Sequence, residues 1–456
     1  MRRIFFLGLF LLLFLQSCTY PTGVTAVVDQ IPDLPKPTMR TPEPSATAEE
    51  LIDTDTAALI GVEVSLWHGL DGQSSTLIDQ MVGEFNLTNP YGIKVIASPR
   101  GNFAKLGEGI DGLGSASETP DMLIALPEQI IADSENLVDL SPYMASKEIG
   151  LAGVEIPAPL LAQSNVEGQQ FGLPMTRSAR LLFYNQTFAR EIGFDHPPVT
   201  LAEFEEQVCA ANASWKTDDD LTNDGYGGFA LDTLSNWQTP LSWIVSNDEQ
   251  FGKSSPLVFE TPEITKVFTF FENLRTSSCA WFADSEQNYQ NLARRRALVV
   301  TGDLLEINSQ RDAFSGEKSE DVWEVIPFPG KTTSIVLYGV DYAIIQKAPE
   351  KQLASWMFIR WMMQSENQMR WAVDTKLFPV TASALGLVAT SSAFPKQYQQ
   401  AVGLVANSYG YPQNPGWAMI KNLLADGTYQ FNKMYPYITA VDLLKSIDSQ
   451  AADIIK

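Results

Sequence analysis

Aromatic rings and hydrogen-bonding side chains recur where predicted elements end. Trp67 with His68, Asp121, Arg177 with Arg180, Trp237, Trp243, Asp303, Tyr338 with Asp341, and Trp417 form the candidate set for ligand binding. Such a set suits capture of a sugar. Flat rings cover the apolar C–H faces of a pyranose, while carboxylates, amides and guanidinium groups bond its rim of hydroxyls. The two arginines offer a different chemistry. Spaced three apart, they could grip a carboxylate or phosphate bidentately, or form ion pairs within the protein. Each aromatic has a plainer use as core packing. Trp356 and Trp361 lie inside a predicted helix and are expected in the core.

Covalent chemistry has little material to work with. The sequence holds no G-x-S-x-G elbow, no H-E-x-x-H, no phosphate-binding G-x-x-x-x-G-K and no C-x-x-C. Its two histidines, His68 and His196, leave little room for base catalysis or metal ligation. The G-x-G-x-x-G at 107–112 neither follows a strand directly nor opens a helix, so it is not read as a nucleotide loop. Asp220-x-Thr222-x-Asp224-Gly225 faintly resembles a calcium loop. Its twelfth position is Leu231 where a glutamate would be needed, and a solvated turn is the better reading. A carboxylate pair of glycosidase type carries no local signature, so a secreted carbohydrate-active enzyme stays as an alternative. No catalytic residue, metal or cofactor is expected.

The elements that must position these residues read as strands alternating with helices, which implies mostly parallel α/β sheets. GVEVSLWHG (61–69) and IKVIAS (93–98) are strands, with an amphipathic helix between them. TPDMLIAL (119–126) is the next strand. FGLPMTRSARLLFYN (171–185) is an apolar run with Pro174 near its start, which predicts an edge or bent strand. A short helix follows, ended by Gly193 and an HPP turn. Thr200 with Glu203 then forms a capping box ahead of an apolar stripe of Leu201, Phe204, Val208 and Ala211. Later strands are read at 322–331 and within 334–345, and a capped helix over Thr261–Phe282.

Gly172-Leu173-Pro174, then LLFYN, a helix ending in Gly, and PPVTLAEF resemble the extracellular solute-binding proteins of carbohydrate ABC transporters, the maltose-binding-protein group. Leu201 stands where that family usually has Trp. A second resemblance lies at Ser365, Glu366, Gln368 and Pro379, with Lys376 in place of a usual Gly. The family's F-x-x-G-K-x-A-M pattern is degraded here to LARRRALVV. The resemblance implies a two-lobed periplasmic-binding-protein-like fold, each lobe a mostly parallel sheet flanked by helices, joined by crossing strands. It implies an N-terminal lobe of 57–174 plus 328–378 and a C-terminal lobe of 175–327 plus 379–456. Met175 to Arg180 would then sit at the hinge. The implied function is a substrate-binding protein that captures a sugar or oligosaccharide between the lobes and delivers it to a membrane permease without catalysis. An anionic ligand such as a glycerophosphate is the alternative within the same role. A monomer is expected.

Composition agrees with export. Across 456 residues, 31 Lys and Arg stand against 54 Asp and Glu, a net charge of −23. That excludes the basic footprint needed for nucleic acid and argues against electrostatic docking on anionic lipid. Arg2 and Arg3 precede the apolar run IFFLGLFLLLFLQ, and Leu15-Gln16-Ser17-Cys18 resembles a bacterial lipobox. The reading is a signal peptide over 1–18, with Cys18 lipidated on the outer face of the cytoplasmic membrane; an uncleaved signal anchor is the alternative. Residues 19–56, rich in Pro and Thr, form a disordered tether. Cys209 and Cys279 then remain, and in an exported chain they read as a disulfide between two helices of one lobe, against two buried free thiols.

Overall fold

The run GVEVSLWHG folds as β1 (Glu63–His68), with Val64, Leu66 and His68 on its buried face. β2 (Lys94–Pro99) and β3 (Met122–Ala125) lie parallel on either side of it. β4 (Asn165–Val166) and β5 (Gln169–Gln170) form a small separate hairpin. β6 (Leu173–Asn185) is the long central strand, followed by β7 (Phe229–Leu231), β8 (Ala280–Phe282), β9 (Val299–Asp303), β10 (Trp323–Ile326), β11 (Ile335–Ile344) and β12 (Ser408–Tyr409). The order across the sheet is β2-β1-β3-β11-β6-β9-β7-β8, with β10 paired to β6 and β12 to β11. This is a computed structural model, and it describes residues 56–110, 119–232, 235–253, 256–282, 288–410, 412, 414, 416–434 and 436–454. The expected signal segment with Cys18, and the tether up to residue 55, lie outside the described residues.

β6 links two half-sheets. Leu173 to Ala179 pair with β11, while Arg180 to Tyr184 pair with β9 and Leu182 to Asn185 with β10. The strand therefore exchanges partners between Ala179 and Arg180. Its 13 residues are nearly all buried, so it is central where Pro174 had predicted an edge or bent strand. The proline is tolerated because it faces Asp341, where the β11 register shifts after Val340 and a ladder hydrogen bond is already lost. Glycine is required opposite. A Cβ at Gly339 would collide with the Thr176 carbonyl, so the two crossing strands approach there on backbone alone.

Apolar faces bury the helices against these half-sheets. The helices Gly72–Thr88, Pro349–Met362 and Ser365–Thr375 share a core with β1 and β11. The helices Leu201–Lys216, Gln238–Asn247, Pro262–Thr276, Trp417–Lys433 and Ala440–Ile454 share another with β7 and part of β9. Trp243 is the hub of that second core, with Phe204, Phe328 and Phe271 rings 5.1, 5.3 and 5.4 Å away. The Leu201–Lys216 helix starts as its sequence predicts. Thr200 Oγ1 accepts from the Glu203 N–H, and the Glu203 carboxylate reaches back to the Val199 N–H.

Cys209 and Cys279 are joined by a disulfide that closes a separation of 70 residues. Cys279 is not on a helix. That helix ends at Thr276, and Ser278 in the left-handed region turns the chain so that the Cys279 N–H returns to the Leu274 carbonyl before β8 begins. The Asp220 loop folds on itself: Asp220 Oδ1 accepts from both the N–H and the hydroxyl of Thr222. Those bonds hold its carboxyl below the usual range. Among the described residues no helix is long and apolar enough to cross a membrane.

Candidate ligand cleft between the half-sheets

In parallel sheets the carboxyl ends of the strands are where a crevice opens. Here the ends of β1 and β3 face those of β7 and β9 across the crossing strands. Between them lies a cleft of about 580 Å³. From the first half-sheet come Leu70, Asp71, Ser74, Phe103 and Leu126. The crossing strands supply Thr176 to Ser178, Arg180 and Tyr338 to Val340. The second half-sheet supplies Trp237, Gln238, Asp303, Leu305, Glu306 and Lys421.

Five of the expected residues meet there: Arg177, Arg180, Trp237, Asp303 and Tyr338. Trp237 and Tyr338 form an aromatic wall, their rings 6.0 Å apart and nearly perpendicular. Both are half-buried, so part of each ring is accessible. Trp417, 5.8 Å from Trp237 and edge-on, is fully buried and buttresses that wall from behind.

The two arginines differ sharply. Arg177 is fully buried and bonds Asp341 at 2.6 Å, with further bonds to the carbonyls of Thr176, Val340 and Leu160. Asp341 also accepts from the Ser164 hydroxyl. This pair locks the crossing strands to the segment before β4, with neither side chain exposed. Arg180 sits opposite Asp303 on the neighbouring strand β9. Its Nε donates to Thr239 Oγ1 at 2.8 Å and its Nη2 to Asp232 at 3.0 Å, while Nη1 lies 3.7 Å from Glu306. Burial pulls its proton affinity down, but Asp232, Glu306 and Asp303 outweigh burial and raise it. Asp303 accepts from Ser178 and from the Leu305 N–H. Burial pushes its carboxyl up to about 6, and Arg180 opposes that rise. Glu306 is itself fixed, accepting from the Asp303 N–H and from the Tyr289 hydroxyl at 2.9 Å.

The other expected residues sit elsewhere. Asp121 lies at the amino end of β3, opposite Ser65, so it is at the far end of the strand from the cleft; it pairs with Lys347 and Lys351. Trp67 packs on the other face of β1 against the cluster of Leu106, Ile110 and Leu123, with the Arg100 guanidinium 3.4 Å from its ring centre. His68, on the opposite face, is buried, and burial lowers its pKa. Trp243 is core. Sequence reasoning missed Asp232, Glu306 and Lys421. The first two follow strand carboxyl ends, a signal that was available. Lys421 lies inside a helix and carried none.

The family pattern for bacterial extracellular solute-binding proteins matches residues 80–404, and the chain belongs to that family. The sn-glycerol-3-phosphate-binding periplasmic protein UgpB of Salmonella paratyphi A is 20% identical over 368 residues, which is 74% of this chain and 79% of the relative. The sugar-binding protein MalE from Xanthomonas citri superposes with a TM-score of 0.73 at 18% identity, covering 86% of this chain and 97% of that one. The cyclic α-maltosyl-1,6-maltose binding protein from Arthrobacter globiformis gives 0.67 at 19%, covering 87% and 99%. The chain therefore has the two-lobed α/β fold its sequence implied. Its family and structural neighbours are substrate-binding proteins and not enzymes.

Proposed function

We propose that the protein is the substrate-binding component of an ABC importer and takes a neutral sugar or oligosaccharide into this cleft. The observation that carries the reading is the wall of Trp237 and Tyr338 beside the hydroxyl, amide and carboxylate groups of Ser178, Gln238, Asp303 and Glu306. Rings and multiple acceptors in one cleft match the apolar faces and the hydroxyl rim of a pyranose. The lobes would be 57–174 plus 328–378 and 175–327 plus 379–456, closing about the crossing strands by hinge motion; the partner exchange at Ala179–Arg180 supports a crossing within β6. Delivery would be to a permease, with the monomer held at the membrane through lipidated Cys18.

The names of the glycerophosphate-binding relatives favour a second reading, an anionic ligand in the same role. Calorimetric titration of the purified chain with neutral oligosaccharides and with sn-glycerol-3-phosphate separates the two. A neutral ligand should bind, and Trp237→Ala should weaken it by about tenfold or more, since a ring contact contributes on the order of 1.4 kcal/mol. Binding of sn-glycerol-3-phosphate with no response to any neutral saccharide would overturn the sugar reading.

A further inference from the structure

We infer that the cleft is charge-selective, and that Asp303 and Glu306 are the specificity-determining residues that bar anionic ligands by neutralising Arg180. The inference rests on the binding-protein reading of the cleft. It concerns which ligands that cleft rejects.

Three cations line the cleft among the described residues, and each has a carboxylate partner. Arg177 is buried against Asp341. Lys421 is paired with Glu128. Arg180, with 14% of its side chain exposed, is surrounded by Asp232, Glu306 and Asp303. Three carboxylates around one guanidinium leave a net charge of −2 when all are ionised. An anion approaching Arg180 therefore meets more like charge than unlike charge, in a setting with little water to screen it.

The backbone points the same way. Helix amino ends attract phosphates through their free N–H groups and dipole. Three of the helices that begin with cleft-lining residues, Gly72–Thr88, Gln238–Asn247 and Glu306–Gly316, have a carboxylate at that end. Asp71 is the N-cap of the first, Asp232 accepts from the Thr239 hydroxyl in the first turn of the second, and Glu306 is the first residue of the third. At these three helix starts the positive end already faces the protein's own negative charge. A neutral polyol meets neither obstacle, because its hydroxyls donate to the same carboxylates.

Titration calorimetry with sn-glycerol-3-phosphate and inorganic phosphate tests this on wild type, on Asp303→Asn/Glu306→Gln and on Glu306→Gln alone. The double variant takes the cage from −2 to neutral. Its anion affinity should rise by at least about tenfold, with binding of a neutral saccharide reduced. Glu306→Gln alone should give a smaller gain, and it keeps the comparison readable should the double variant unfold. Two results would overturn the inference. One is wild-type binding of either anion at micromolar concentration that Arg180→Gln abolishes. The other is no gain of anion affinity in either variant. Failure of wild type to bind any neutral saccharide would count against the sugar reading alone, because the anion comparison between wild type and variants would still stand.

Discussion

Asp303 is a carboxyl whose ionisation the fold resists. It lies beside Arg180, which favours the charged form, yet burial dominates and lifts its pKa from the ordinary 3.8 to about 6. The sign of the consequence follows from linkage. Between about pH 4 and 6 the folded protein holds a proton here that the unfolded chain has lost, so the folded state binds more protons. The contribution to stability is fully present below pH 4 and is lost as pH rises through 6. Asp303→Asn removes that dependence. Melting temperatures of wild type and variant from pH 4 to 7 should therefore diverge, with wild type losing ground to the variant as pH rises. Parallel curves across that window would show that Asp303 titrates as an ordinary surface carboxyl. The buried Arg177–Asp341 pair behaves differently, because its role is mutual satisfaction; removing one member strands the other.

Local chemistry was the legible part of the elements. Thr200 and Glu203 stand three apart, and Thr200 caps the helix as predicted, while the Glu203 carboxylate takes the N–H of Val199, one residue before the N-cap, in place of that of Thr200. Five cleft residues were found because they follow strand ends or sit on crossing strands. Asp121 was misplaced because a strand's sequence does not say which of its ends faces the cleft. Trp243 and Trp417 were misplaced because ring exposure depends on neighbours such as Phe204 and Phe328, far away in the chain. Asp232 and Glu306 were missed for a related reason: their meaning comes from Arg180, 52 and 126 positions earlier in the numbering. The helix Ser365–Thr375 ends at a strained position. Lys376 caps that helix with φ 61° in the left-handed region, a conformation that favours glycine. Its ammonium donates to the Val373 carbonyl at 2.6 Å, which offsets part of the strain. Lys376→Gly should raise unfolding stability by about 0.5–1 kcal/mol, read as a higher urea midpoint. An unchanged or lower midpoint would mean that the Val373 bond outweighs the backbone term.

At the scale of the whole molecule, the Lys421–Glu128 ion pair joins the two halves beside the cleft. Lys421 belongs to the helix Trp417–Lys433, packed with the β7–β9 core, and Glu128 to the helix Pro127–Ala132, beside β3. Their side chains are paired and mostly buried, at 15% and 6% exposed. Lys421 also lies 5.6 Å from the Trp237 ring, so the same residue touches the aromatic wall and the opposite half of the protein. A pair drawn from the two half-sheets would bias the balance between open and closed arrangements. Neutralising one member removes a charge-assisted bond of about 1.5–3 kcal/mol. That would raise the open-to-closed ratio roughly 10- to 150-fold. Small-angle scattering of ligand-free protein should then show a larger radius of gyration for Glu128→Gln and for Lys421→Met than for wild type. The charge-reversed pair Glu128→Lys with Lys421→Glu should bring it back toward the wild-type value. If the single variants scatter as wild type does, the other packing between the two halves sets their arrangement, and the ion pair is a passenger of closure.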